Sequence, residues 1–116
     1  MALVLLGACS SDDTPAPGGS SVRDAVAALC DARDTARDSV GEARDIFFNE
    51  SHDPLHELAR TATDEEPGAA AGLLEAKNAV EAAFEEGDDV EPELGTLISA
   101  ANEALTAVSE EPVTCS

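Results

Sequence analysis

Residues 22–47 read VRDAVAALCDARDTARDSVGEARDIF, and this stretch decides the fold class. Its apolar residues recur at alternating steps of four and three, which is the period of one face of an α-helix. The face consists of Val22, Val26, Leu29, Ala36, Val40, Ala43 and Phe47, with Arg33 at the one interrupted position. The pattern predicts one long first helix, which a capping-box sequence at residues 21–24 opens and which Gly41 weakens.

Three further stretches carry the same helical period. A short second helix is expected to begin at Pro54, because proline suits the first helical position and Asp53 can cap it. The predicted buried faces are Leu55, Leu58, Ala59 and Ala62 in the second helix, Leu73, Ala76, Val80, Ala83 and Phe84 in the third, and Leu94, Leu97, Ile98, Ala101, Leu105 and Val108 in the fourth. No segment alternates with period two. The sequence therefore predicts an all-α fold, a small up-down four-helix bundle over residues 22–116 with a short second helix.

The charge of the chain is strongly negative, with 25 Asp and Glu against 6 Lys and Arg and a net charge of −19. Such a surface excludes nucleic acid as a partner, since phosphate contacts need Lys and Arg. It is also repelled by anionic lipid headgroups. Two interpretations of the acidity stay open: capture of cations or of a basic partner, or a self-repelling surface that keeps an exported protein soluble.

The N-terminal residues have the composition of a targeting signal. Residues 2–8 are apolar or small and are followed by Cys9, and residues 10–21 are polar and rich in Ser, Pro and Gly. The apolar run is far shorter than the ~20 residues that span a bilayer. It is typical of the end of a signal peptide, and the polar stretch is typical of a flexible tether. No Lys or Arg precedes the run, so we expect the natural start to lie upstream.

Leu6-Gly7-Ala8-Cys9 resembles the lipobox of bacterial lipoproteins, in which an apolar residue and two small residues precede a cysteine. The resemblance implies that the Cys9 thiol carries a lipid and that a peptidase removes residues 1–8. Residues 9–21 would then tether a helical domain to the extracytoplasmic side of a cell membrane.

The three cysteines agree with this resemblance. If Cys9 carries the lipid, Cys30 and Cys115 remain, and an oxidising compartment allows them to form a disulfide. With four successive antiparallel helices the chain returns to its starting end, where these two cysteines can meet. In the chain-entropy model a loop of this length contributes about 4–5 kcal/mol to stability.

Residues 50–57, ESHDPLHE, hold both histidines of the chain among carboxylates. On a continuous helix the four-residue spacing of His52 and His56 would place both imidazoles on one face, as a Zn or Cu site needs. Glu50 and Glu57 are the carboxylates that could complete such a site. The stretch is similar to the H-E-x-x-H helix of zinc proteases, but Pro54 should interrupt the helix and no glutamate follows the first histidine. We expect the two side chains to diverge and metal binding to be weaker than micromolar.

Motifs of catalysis are missing from the sequence. There is no glycine-rich phosphate loop, no haem-attachment motif and no second half of a di-iron site, and nothing places Ser, His and Asp as a triad. We therefore expect a protein that is not an enzyme and has no cofactor. The predicted function is that of a lipid-anchored extracytoplasmic module that binds a protein partner or supports a complex of the cell envelope. The alternative is a small periplasmic or surface protein that binds Zn or Cu through His52 and His56.

Overall fold

The structure, a computed structural model, describes residues 19–87 and 89–115. The elements are α1 (Gly19–Ala36), α2 (Val40–Ile46), a π-helical turn (Phe47–Ser51), α3 (His52–Glu65), α4 (Pro67–Glu86) and α5 (Glu91–Ala107). The lipobox residues and Cys9 lie outside the described residues. The segment predicted as a tether, residues 9–21, overlaps the first residues of α1, because this helix begins at Gly19.

The predicted all-α class is confirmed, and residues 19–87 and 89–115 contain no strand. Because α2, the π turn and α3 follow one another without a gap, these elements form a single helical rod. With α1, α4 and α5 this makes four rods joined by short connections, which places successive rods antiparallel. Arg37 at the end of α1 pairs with Glu91 at the start of α5, so the first and last helices are also antiparallel neighbours.

The predicted long first helix is wrong at residues 37–39, where the chain turns and α2 begins. Ser39 has an extended backbone and its hydroxyl accepts a hydrogen bond from the backbone N–H of Glu42 at 3.2 Å. A serine that caps N3 in this way starts a new helix. The turn rotates the following residues, so that Val40, expected in the core, is 40% exposed.

The second helix does not begin at Pro54, and Asp53 does not cap it. The π turn ends directly before His52, and the N–H of His52 donates to the carbonyl of Phe47, five residues back. The wider turn includes Glu50, whose carbonyl would clash with the Pro54 ring in a regular α-helix. Helical backbone therefore runs through the proline, and the side chain of Asp53 is 96% exposed.

The core lies between the four rods and is built mainly from Ala, Leu and Val side chains, together with two Phe, Ile98 and Cys30. Its fully buried members include Val26, Leu29, Phe47, Leu55, Leu73, Val80, Leu94, Leu97 and Leu105. The faces predicted for α3 and α4 are all buried, and so is the α5 face apart from Val108, which is partly buried. None of the described helices is long and apolar enough to cross a membrane.

The predicted disulfide is present between Cys30 on α1 and Cys115 beyond the end of α5, with a Cα–Cα distance of 5.5 Å. The two residues are 85 positions apart in the sequence. The bond closes a loop that contains most of the bundle.

Candidate functional site

Four titratable side chains meet where the π turn and α3 pack against α4, and we call this group the histidine cluster. Its members are His52 and His56 on α3 and Lys77 and Glu81 on α4. The ring centroids of the two histidines are 4.9 Å apart, with their planes at 67°. The expectation that these side chains diverge is therefore wrong. The uninterrupted helix through Pro54 keeps residues four apart on one face.

Lys77 supplies a buried positive charge to the cluster. The residue is only 3% exposed, and its Nζ donates to Glu81 Oε2 at 2.5 Å. Removing an ammonium group from water is costly unless a carboxylate compensates it. The pairing with Glu81, one helical turn further along α4, provides that compensation.

His52 lies between two carboxylates. Its Nε2 is 3.2 Å from Glu81 Oε2, and its Nδ1 is 3.2 Å from Asp53 Oδ1. Ionised carboxylates only accept hydrogen bonds, and a neutral imidazole carries one N–H. A neutral His52 can therefore satisfy one of the two contacts, whereas an imidazolium satisfies both.

His56 stands in a less favourable electrostatic position. Desolvation of the ring is the largest cause that lowers the pKa of His56, followed by the positive charge of Lys77 and the proximity of His52. The negative charges of Glu81 and Asp53 act in the opposite direction but do not reverse the shift. His56 is therefore held towards its neutral form.

Aromatic side chains border the cluster on the π turn. Phe47 is buried and packs at a centroid distance of 5.8 Å from Phe84 of α4. Phe48 is 38% exposed, lies 5.5 Å from the ring of His52, and carries the guanidinium of Arg44 over its face at 5.1 Å. A cation above a ring face is attracted by the ring quadrupole. Arg44, Phe48 and the two histidines, spaced four residues apart, thus form a row of contacting side chains along one rod.

The two carboxylates predicted as metal ligands do not join the histidines. Glu57 instead accepts a hydrogen bond from Arg60 Nη1 at 2.8 Å, and Glu50 is exposed on the π turn. The carboxylates that do reach a histidine are Asp53, the neighbour of His52 in the sequence, and Glu81, which comes from another helix. Within residues 19–87 and 89–115 no group of three or more His, Cys, Asp or Glu side chains is arranged to hold a metal ion.

The donor set explains this arrangement in chemical terms. A Zn or Cu ion bound to Glu81 Oε2 beside His52 would compete with Lys77 for that oxygen. The ammonium of Lys77 and a metal cation would repel each other at that short distance. In this structure the side chains form an ion-pair network that joins α3 and α4.

Lys77 and Glu81 were not expected at this site from the sequence. Their spacing of four residues on a predicted helix is a visible signal for an ion pair, and Lys77 follows Leu73 by four residues on the apolar face. The contact between Glu81 and His52 joins two helices, and no local pattern reports it.

Comparison of the chain with protein-family models, with curated proteins and with solved structures finds no match.

Proposed function

We propose that this protein is a lipid-anchored extracytoplasmic protein whose helical bundle is a non-catalytic module for binding a protein partner or supporting an envelope complex. A lipid on Cys9 would attach the protein to the membrane, and the bundle would lie on the side of the membrane that faces away from the cytoplasm. The observation that carries the proposal is the division of the three cysteines. Cys30 and Cys115 pair with each other, which leaves Cys9, in its lipobox-like context, as the remaining thiol.

Two physical arguments support the location. Disulfides persist in oxidising compartments and are rare where thiols are kept reduced, so the Cys30–Cys115 bond favours export. The net charge of −19 works against adsorption to anionic lipids, so a protein that stays at a membrane needs another means of attachment. A covalent lipid on Cys9 would provide it.

The test is expression of the protein from its own gene in its native host, followed by partition between detergent and aqueous phases. We expect the wild-type protein and a Ser10→Ala control to enter the detergent phase and to carry acyl chains on an N-terminal Cys9. The Cys9→Ala variant should stay in the aqueous phase. Equal membrane association of the Cys9→Ala variant would disprove lipid anchoring.

A second candidate function is binding of Zn or Cu, and the observation that favours it is the adjacency of the His52 and His56 rings at 4.9 Å. The ion pair between Lys77 and Glu81 opposes it. Our lead proposal predicts binding weaker than micromolar that does not change in a His52→Ala/His56→Ala double variant. Weak binding alone is uninformative, because an acidic surface attracts divalent cations.

Titration calorimetry with zinc and copper salts on untagged protein distinguishes the two functions. A Lys77→Met variant tests whether the ion pair prevents metal binding. It frees the Glu81 carboxylate while retaining an apolar side chain of similar length. Stoichiometric, sub-micromolar binding that disappears in the double histidine variant would establish the metal-binding function. An Asn78→Ala variant, which changes an exposed position of α4, is the control.

A further inference from the structure

Beyond the end of α5, residues 110–115 run back along the groove between α1 and α5, and we call this segment the strap. Its backbone is held by side chains of both helices. Arg23 Nε of α1 donates to the carbonyl of Glu111 at 3.0 Å. Asn102 Nδ2 of α5 donates to the carbonyl of Val113, and the N–H of Val113 donates to Asn102 Oδ1, both at 2.8 Å.

The carboxamide of Asn102 therefore binds the backbone of Val113 in the manner of a neighbouring β-strand. One side chain satisfies both the donor and the acceptor of a single residue, which fixes the strap in register as well as in position. Two residues after Val113, Cys115 meets Cys30 of α1. The geometry makes Asn102 a positioning residue for the disulfide.

The two cysteines differ in exposure. Cys30 is 8% exposed and belongs to the core cluster on α1. Cys115 lies on the strap and is only partly buried against that cluster. Thiol–disulfide exchange requires a thiolate to approach one sulfur along the S–S axis, so access decides which sulfur is attacked.

We propose that Cys115 is a thiol–disulfide exchange site, that Cys30 is the protected resolving thiol, and that Asn102 returns the strap to the position in which the bond re-forms. The inference goes beyond the proposed function and stands without the lipid anchor. The co-reactant is a thiol. Its thiolate attacks Cys115 Sγ, the Cys30–Cys115 bond breaks, and Cys30 leaves as a thiolate that takes a proton from water.

The reaction leaves a mixed disulfide between Cys115 and the external thiol. In the reverse step the Cys30 thiolate attacks Cys115 Sγ, the native bond forms again, and the external thiolate leaves. With a second equivalent of thiol, attack on the external sulfur of the mixed disulfide gives free Cys115 and the oxidised form of the co-reactant. Two electrons and two protons then pass from the two external thiols to Cys30 and Cys115.

Opening of the strap is a local event. The fully buried core side chains come from α1, α2, the π turn, α3, α4, Val90 and α5, whereas the strap adds the partly buried Val113 and Cys115. Segments with few buried contacts open at a lower free-energy cost than the core. The bundle should therefore remain helical while the strap detaches.

The first experiment measures which cysteine exchanges. Cys30→Ser and Cys115→Ser variants, each in a Cys9→Ser background, are incubated with oxidised glutathione under native conditions, and adducts are located by peptide mass spectrometry. We expect the adduct on Cys115 of the Cys30→Ser variant to form at least roughly tenfold faster than the adduct on Cys30 of the Cys115→Ser variant, because access limits attack. Equal rates, or faster reaction of Cys30, would overturn the assignment.

The second experiment tests Asn102. Redox buffers of reduced and oxidised glutathione give the effective concentration of the two thiols for each other in the Cys9→Ser protein. Loss of both backbone hydrogen bonds in an Asn102→Ala variant should lower this value by roughly tenfold or more. The matched Asn78→Ala variant should leave it unchanged.

If Asn102 only stabilised the bundle, the Asn102→Ala substitution would also lower the melting temperature of the fully reduced protein. We expect the melting temperature of the fully reduced Asn102→Ala protein to equal that of the reduced parent, since the strap is then open in both. An unchanged effective concentration would refute the positioning role. Loss of helical circular dichroism on reduction of the parent protein would refute local opening.

Discussion

At the residue scale, Ser109 has a left-handed backbone conformation. Among the described residues it is the only non-glycine residue with a positive φ, at 67°. Its N–H donates to the carbonyl of Thr106, and the N–H of Glu110 donates to the carbonyl of Leu105. These two bonds form a Schellman motif at the end of α5, and the left-handed position of that motif is usually a glycine.

Replacing Ser109 by glycine should therefore stabilise the protein. A left-handed conformation costs a non-glycine residue about 1 kcal/mol, which glycine avoids. We expect the free energy of unfolding of Ser109→Gly to rise by about 0.5–1 kcal/mol in urea denaturation. Ser99→Gly, an exposed substitution inside α5, is the control and should lower it. A lower stability of Ser109→Gly would show that the hydroxyl contributes more than the strain costs.

His56 gives the prediction for pH dependence. Its pKa is lowered from the usual 6.5 by desolvation, by Lys77 and by His52. As the pH falls below 6.5 the unfolded chain therefore takes up the proton before the folded protein does, and the folded state loses stability. We expect this part of the loss to be absent in His56→Gln. An NMR titration of the folded protein that places the His56 midpoint at or above 6.5 would contradict the prediction.

At the element scale, the break between α1 and α2 depends on Ser39. Its hydroxyl satisfies the N–H of Glu42, one of the backbone donors that the first turn of a helix leaves free. The Ser39→Ala variant should lose about 1 kcal/mol of stability, the usual cost of removing a serine N-cap. Ser99→Ala, on the exposed side of α5, should leave stability within about 0.5 kcal/mol. Equal stabilities of the two variants would mean that packing alone sets the break.

Local sequence signals account for some of these elements and fail at others. The apolar period located α4 and α5, where proline or glycine marks a boundary and leucine marks the face, and it gave the buried face of α3 but not its start. Ser39 and Glu42 are spaced as in a capping box, so the break was visible locally. The continuing apolar stripe through Val40 and Ala43 outweighed that signal and extended the predicted first helix too far.

The π turn could not be predicted in the same way, because contacts from other helices accompany it. Ser51 is fully buried and its hydroxyl donates to the carbonyl of Ala25 on α1 at 2.8 Å. A proline in a helical pattern usually marks a break, and only the tertiary contact at Ser51 distinguishes this case. The histidine cluster could not be predicted for the same reason, because Glu81 of α4 contacts His52 of α3 and the two residues are far apart in the sequence.

At the scale of the whole molecule, charge opposes the compact state. The chain carries −19, and one pole of the bundle, where α1 ends and α5 begins, is crowded with carboxylates. The exposed or partly buried acids near that pole include Asp38, Glu42, Asp45, Glu85, Glu86, Asp89, Glu91 and Glu93. Arg37 neutralises one of them through its contact with Glu91. Because self-repulsion of this kind weakens folding, the bundle depends on its core and on the cross-link from Cys30 to Cys115.

Removing the cross-link should therefore have the largest effect of any change considered. With a sequence separation of 85, the chain-entropy model predicts a loss of about 4–5 kcal/mol for the Cys30→Ser/Cys115→Ser double variant. Small domains have about 5–15 kcal/mol in total, so the variant should remain folded at 0.15 M salt with a much lower urea midpoint. Its m-value should rise, because the unfolded chain without the cross-link exposes more surface. Screening of the acidic surface by added salt should recover part of the loss, whereas a Cys9→Ser variant should unfold like the wild type. If the double variant kept the wild-type midpoint, the restraint of the unfolded chain by the disulfide would contribute nothing to the stability of this bundle.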